Sequence, residues 1–154
     1  MICTGKLKKD YFYNAQLDYE KLLSRFADVT VAEVADEPLA NIKSKKDEQN
    51  AKNKEAERIL AKCPPGFLIA CDVKGQKYDS EGFADRLSEI MTNGAGTLVF
   101  VVGGSIGLAD DILKKADMRI SLSDMTMPHR LFRVVLLEQI YRAFKIMNGE
   151  TYHK

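Results

Sequence analysis

Apolar positions fall into two rhythms along this chain, and the two alternate. From Tyr11 to Phe26 they recur through Phe12, Ala15, Tyr19, Leu22, Leu23 and Phe26, the spacing of a helix with one inward face. Val29-Thr30-Val31-Ala32-Glu33-Val34 is β-branched and alternating, which predicts a strand ended by Glu37-Pro38. Met1 to Thr4 predicts a shorter strand stopped by Gly5. Ile42 to Lys62 has only a thin stripe of Ala51, Ala56, Ile59 and Leu60, so it reads as a solvated helix with a loose beginning. After Pro64-Pro65-Gly66, the run Phe67-Leu68-Ile69-Ala70-Cys71 is apolar throughout and ends at Asp72 and the turn residue Gly75, as in a buried parallel strand. A helix follows to about Thr92, with Ser80 as N-cap and Phe83, Leu87, Ile90 and Met91 inward. Thr97 to Val102 repeats the buried-strand signature, and a short helix is predicted from Leu108 through Leu113. The last helix runs from Pro128 to about Met147, with Gly149 just beyond it. Strands alternating with helices predict an α/β fold, a mostly parallel sheet with helices on both faces.

The last helix has more apolar residues than one face can hold. Leu131, Val134, Val135, Ile140 and Phe144 would cover the sheet, while Phe132, Leu136, Tyr141, Ala143 and Met147 lie around other sides. Such a helix is covered either within one subunit or by a second one. The expectation is a homodimer with this helix in the interface. The length of 154 residues and 45% hydrophobic content favour one domain over residues 1–154. Cys3, Cys63 and Cys71 are odd in number and widely spaced, which suits a reducing, cytoplasmic setting better than a disulfide framework. No apolar run approaches the roughly 18 residues of a membrane span, and the start lacks a signal-peptide core.

Three features carry candidate chemistry. Val99-Phe100-Val101-Val102 runs into Gly103-Gly104-Ser105-Ile106-Gly107, a strand-to-helix turn at which a ligand can touch main chain. Asp110 and Asp111 would repel a pyrophosphate, so the turn suits a nucleoside-type ligand without phosphate, or is simply a tight turn. About twenty residues later, Leu122 to Met127 combines short polar side chains with two methionines. That loop either walls a purine and a thioether or sulfonium, or only caps the following helix. Cations cluster as Lys6, Lys8 and Lys9, along Lys43 to Lys62, and as Arg130, Arg133, Arg142, Lys145 and Lys154 among Tyr141, Tyr152 and His153. Such a mixture suits an RNA surface or an ordinary solvated face. The balance of 23 Lys plus Arg against 22 Asp plus Glu adds no global field. His129 and His153 are the only histidines and no C-x-x-C is present, which excludes a zinc site. No G-x-S-x-G elbow supports a hydrolase.

Phe100 to Leu108, Leu122 to His129, Glu138 to Ile146 and the terminal Tyr152-His153-Lys154 together closely resemble the RlmH family over nearly the whole chain. That family comprises small SPOUT-class methyltransferases that move a methyl group from S-adenosylmethionine to N3 of a pseudouridine in large-subunit (23S) ribosomal RNA. The resemblance implies a homodimer whose C-terminal region is threaded into a trefoil knot, a rare exception to unknotted topology. It implies a cofactor pocket using Cys71, Gly103 and the loop of Leu122, Ser123, Asp124, Met125, Thr126 and Met127. It implies substrate-side roles for Arg142, Tyr152 and His153, offered toward the partner subunit's pocket, with His129 a further candidate. Under it, His153 assists proton removal and Arg142 stabilises charge on the base or holds a phosphate. The substrate would be the assembled ribosome, since so small a protein has little surface for selecting one nucleotide. Another RNA target, or a non-catalytic ribosome-binding dimer, is the alternative. Two departures stand out. The family carries more first-strand residues ahead of Ile2, and Cys71 stands where a larger aliphatic residue is common, a change expected to adjust cofactor affinity.

Overall fold

The computed structural model describes residues 1–8 and 10–150. Its strands are β1 (Ile2–Thr4), β2 (Ala32–Val34), β3 (Phe67–Gln76), β4 (Leu98–Val102) and β5 (Met118–Ile120), and its α-helices are α1 (Tyr11–Leu23), α2 (Lys45–Lys62), α3 (Ser80–Thr92), α4 (Asp110–Lys115) and α5 (His129–Met147). The strands form one sheet in the order β2-β1-β4-β3-β5, with every pairing parallel. The α/β reading with helices on both faces is therefore correct.

Period-two alternation sorts the strand side chains onto two cores. Cys3, Ile69, Phe100, Val102, Met118 and Ile120 face α1, α3 and α5, where Leu23, Phe83, Leu87, Ile90, Leu136, Leu137 and Ile140 close over them. Ile2, Val99 and Val101 face the other way, onto Ala56 and Ile59 of α2 and Ile112 of α4. Each fully buried Leu, Ile or Phe contributes about 1.5–3 kcal/mol, so these two layers hold the sheet between them.

Several boundaries differ from the sequence reading. Asp79, not Ser80, caps α3, accepting a hydrogen bond from the Gly82 N–H at 2.8 Å. The loose start of α2 is a 3₁₀ turn at Leu39–Asn41, after which Ser44 caps the helix through the Asp47 N–H. α4 begins at Asp110 rather than Leu108, and β2 keeps only the last three residues of the stretch predicted for it. β5 was not foreseen, because three residues give no periodicity. β3 continues past Cys71 through an irregularity, so that both Cys71 and Gln76 pair with Ile120. Gly75 permits this: a Cβ there would lie 2.4–2.7 Å from the Ile120 backbone.

The phase of α5 also differs. Its buried residues are Arg133, Leu136, Leu137, Ile140, Tyr141 and Ala143, whereas Leu131 is exposed and Val134, Val135 and Phe144 are only partly covered. The cause is Arg133, which is fully buried and not part of any basic surface. Its Nη2 donates to the carbonyls of Thr4 and Gly5 at 2.9 and 2.5 Å, and its Nη1 donates to Glu33 Oε1 at 2.7 Å. Those carbonyls lie where β1 ends and have no further strand to pair with, so the guanidinium fork supplies their donors. Fixing Arg133 inward turns its i+3, i+4 and i+7 neighbours onto the sheet. At the far end, Gly149 (φ +65) and the Glu150 N–H bonded to Lys145 O close the helix.

Arg133→Met is expected to lower unfolding free energy by about 3 kcal/mol, since it strands buried acceptors and Glu33 together. A urea titration of both proteins checks this.

Candidate active site

β4 and β5 end level with one another on either side of β3: Cys71 is in register with Val102 on one side and Ile120 on the other, so the chain exits β4 and β5 at one place while β3 runs on to Gln76. In parallel sheets ligands bind at such exits. A cleft of about 570 Å³ opens there, walled by Cys71 to Val73, Val102 to Ser105, Gly107 and Leu108, Ile120 to Ser123, Met125 to His129, and Phe132. Its size is that of a small-molecule site.

The two loops singled out in the sequence form opposite walls. Gly103 has no room for a side chain: a Cβ would stand 3.0 Å from the Gly107 carbonyl carbon and 3.1 Å from Leu108 Cγ. Gly107 sits at φ +78 and returns a hydrogen bond to Gly104 O at 3.1 Å, so the turn folds back on itself and presents main chain to the cleft. The facing loop is held by its own serines. Ser121 Oγ donates to Ser123 O at 3.0 Å, and Ser123 Oγ accepts from the Met125 N–H at 2.9 Å. The Ser121 N–H donates to Gln76 O at 2.9 Å, which ties this loop to the extension of β3.

Of the residues named for the cofactor, Cys71, Gly103, Leu122, Ser123, Met125, Thr126 and Met127 line the cleft. Asp124 does not. Its carboxylate is largely exposed and pairs with Lys77. Arg142 lies ten residues beyond Phe132 on α5, about 15 Å along the axis, outside its own subunit's cleft, and bonds Glu138 at 2.6 and 3.1 Å. Tyr152, His153, Lys154 and Lys9 lie outside the described residues. Tyr141, taken from sequence as part of a basic and aromatic surface, is buried beside Tyr19 and Phe26. Asp72, Val73, Ile120 and Phe132 are lining residues that sequence reasoning missed; the extension of β3, the short strand β5 and the true phase of α5 reveal them.

The walls are electrostatically selective. Among the described residues no lysine or arginine lines the cleft, and the only lining carboxylate is Asp72, paired with Arg119. Burial pushes the Cys71 thiol well above its ordinary range, so it is a neutral wall. A diphosphate finds no cation here, and α4, with six residues and two leading aspartates, gives it no welcome. A purine between main-chain groups, with a thioether or sulfonium against Met125 and Met127, meets suitable chemistry. Among the described residues, the lining of the cleft suits a nucleoside-type ligand better than one that needs a phosphate cradle. Among the described residues no cluster of metal-ligating side chains occurs, and no helix is long and apolar enough to cross a membrane.

Comparison with known proteins gives the family of the chain. A family model described as "Predicted SPOUT methyltransferase" matches residues 1–153, and the chain belongs to that family of methyltransferases. A solved structure titled as a probable methylase family protein from Haemophilus influenzae Rd KW20 matches at a TM-score of 0.54 and 11% identity, over 99% of this chain and 69% of that one. At that identity the likeness concerns the fold.

Behind the glycine turn lies a buried carboxyl. Glu55 of α2 is 2% exposed; its Oε1 accepts the Glu37 N–H at 2.8 Å. Its Oε2 has no partner, nor has the buried Thr4 Oγ1, and the side chains of both residues stand against Gly104. Burial, with Asp36 and Glu37 adding to it, raises the Glu55 pKa. The folded state then binds the proton more tightly than the unfolded one. Its stability is complete below the ordinary carboxylate pKa and declines as pH rises through the raised value. Glu55→Gln is expected to abolish that decline, so that urea midpoints of the variant vary less with pH across this window than those of the parent.

Proposed function

We propose that this chain is an S-adenosylmethionine-dependent methyltransferase that methylates N3 of a pseudouridine in large-subunit ribosomal RNA on the assembled ribosome. The observation that carries the cofactor half is the cleft itself, with glycine-turn main chain, two methionine side chains and no lysine or arginine among its described lining residues. Gly103 would admit the adenosine to main chain, and the 122–127 loop would read it through backbone donors and acceptors. The group supplies, when bound, an electrophilic methyl on a sulfonium, a cation that Asp72 and the methionine sulfurs tolerate.

The RNA half is favoured by the surroundings of the cleft mouth. Lys6 and Lys8 are exposed on the segment just after β1, held there by the Leu7 N–H on Glu33 Oε1 at 2.7 Å. Arg130, beside the lining residue His129, reaches Asp10 Oδ2 at 3.4 Å. These cations share the sheet edge onto which the cleft opens and suit backbone phosphates. The cations of α2 are mostly engaged instead: Lys52 with Glu48, Lys54 and Arg58 with Glu37, and Lys62 with Glu33 O.

Residues outside the described chain or far from the cleft enter through the proposed assembly. In a homodimer with α5 in the interface, Arg142, Tyr152 and His153 would serve the partner's cleft, and the 121–128 loop would belong to a trefoil-knotted C-terminal region. The protein works in the cytoplasm under this reading, where its cysteines stay reduced.

Calorimetry with S-adenosylmethionine, followed by single-turnover transfer to ribosomes from cells lacking the protein, tests the reading. Micromolar binding, one methylated pseudouridine and a dimer by light scattering are expected. Gly103→Ala should weaken cofactor binding by about tenfold, near 1.4 kcal/mol, through the crowding at Gly107 and Leu108. Absence of binding would overturn the methyltransferase reading, while methylation of another nucleotide would overturn the substrate alone.

A further inference from the structure

Methylation of an imide nitrogen needs a group that takes its proton, because the neutral N–H is a poor nucleophile. Among the described lining residues, three titratable side chains have a basic atom for it. Cys71 is held neutral by burial, and Asp72 is committed to Arg119. The third is His129, the first residue of α5, set where the cleft meets the ends of β1 and β2.

What surrounds His129 is a specific arrangement. Its Nε2 lies 3.7 Å from the point where a Cβ on Gly5 would stand, and Cγ and Oδ2 of Asp36 lie 3.8 and 3.9 Å from that same point. Imidazole and carboxylate therefore both border the turn at Gly5, which sits at φ +83. The position is locked by Arg133, one turn along α5, whose guanidinium holds Gly5 O at 2.5 Å and Thr4 O at 2.9 Å.

We propose that His129, with Asp36 beside the same turn at Gly5, accepts the proton of the substrate nitrogen during methyl transfer within its own subunit's cleft. This rests on the methyltransferase reading above, and gives to His129 the role that the family resemblance assigned to His153. The N–H bond breaks with its proton passing to the imidazole, and the electron pair left on nitrogen forms the bond to the methyl carbon. The carbon–sulfur bond of the S-adenosylmethionine donor breaks with its pair retained by sulfur, leaving a neutral thioether. Asp36 then faces an imidazolium, which returns its proton to water once the product leaves.

The charges facing this ring come from each element around it. Burial holds the His129 pKa below its ordinary value, with Arg133 and Arg130 reinforcing the shift and Asp36 opposing it. Arg130 is partly offset by Asp10 at the start of α1, and Arg133 by Glu33 of β2. The positive end of α5 acts in the same sense as the arginines. The outcome is an unprotonated imidazole at neutral pH, ready to accept.

Two readouts test this on the full-length protein. In proton NMR without cofactor, His129 should titrate below 6.5, the ordinary value, and Asp36→Asn should lower it further. In single-turnover transfer to ribosomes, His129→Gln should lose about 100-fold or more in rate while S-adenosylmethionine affinity stays within about threefold. Asp36→Asn should move the acid limb of the pH–rate profile to lower pH. Wild-type rates in His129→Gln, or a His129 titration at or above 6.5 or indifferent to Asp36, would overturn the proposal while leaving the methyltransferase reading intact. A parent protein that transfers no methyl group would instead sink that reading, and this role with it.

Discussion

The structure depends on β4 and β5 ending level with one another on either side of Cys71, midway along β3. Because Cys71 pairs with Val102 and with Ile120, the two glycine- and serine-rich exits that follow β4 and β5 emerge against one another. Any slip of one residue in either ladder would exchange inward and outward side chains and carry one wall of the cleft out of reach of the other. The close approach of Gly75 to the Ile120 backbone secures the ladder on the β5 side. It lets β3 shift its register and pair with Ile120 a second time at Gln76, whose carbonyl then accepts the Ser121 N–H that starts the second wall.

A second constraint acts from the opposite edge. Arg133 is a buried charge whose fork bonds two strand-end carbonyls and a glutamate, a costly arrangement unless every partner is present. It fixes the rotation of α5, and with it the place of His129 and Phe132 in the cleft and of Leu136, Leu137 and Ile140 in the core. One residue thereby links the packing of the longest helix to the geometry of the site. The fold and the chemistry share a fastener.

Periodicity was enough to read most of this architecture. The buried strands at Phe67 and Val99 and the stripe of α2 were visible because burial on both faces, or on one narrow face, leaves a compositional trace. The glycine turn and the methionine loop were visible as candidate walls because few other roles combine those residues beside strand exits. What escaped was whatever depended on a single tertiary contact. Met118-Arg119-Ile120 is too short to show a rhythm, and Gly75 reads as a strand terminator until the Ile120 backbone is seen against it. Arg133 reads as a surface cation and Tyr141 as an exposed aromatic, because nothing local announces that strand-end carbonyls require a guanidinium. Asp124, placed in the loop by sequence, turns outward to Lys77, a choice that spacing cannot reveal.

The central claim is that the cleft at the ends of β4 and β5, beside Cys71 of β3, is where the methyl donor sits. A crystal structure of the protein grown with S-adenosylmethionine tests it most directly. The account predicts the adenosine between the main chain at Gly103 and that of residues 122–127, with its sulfonium near Met125 or Met127. A donor bound at another surface while this cleft holds only solvent would contradict it.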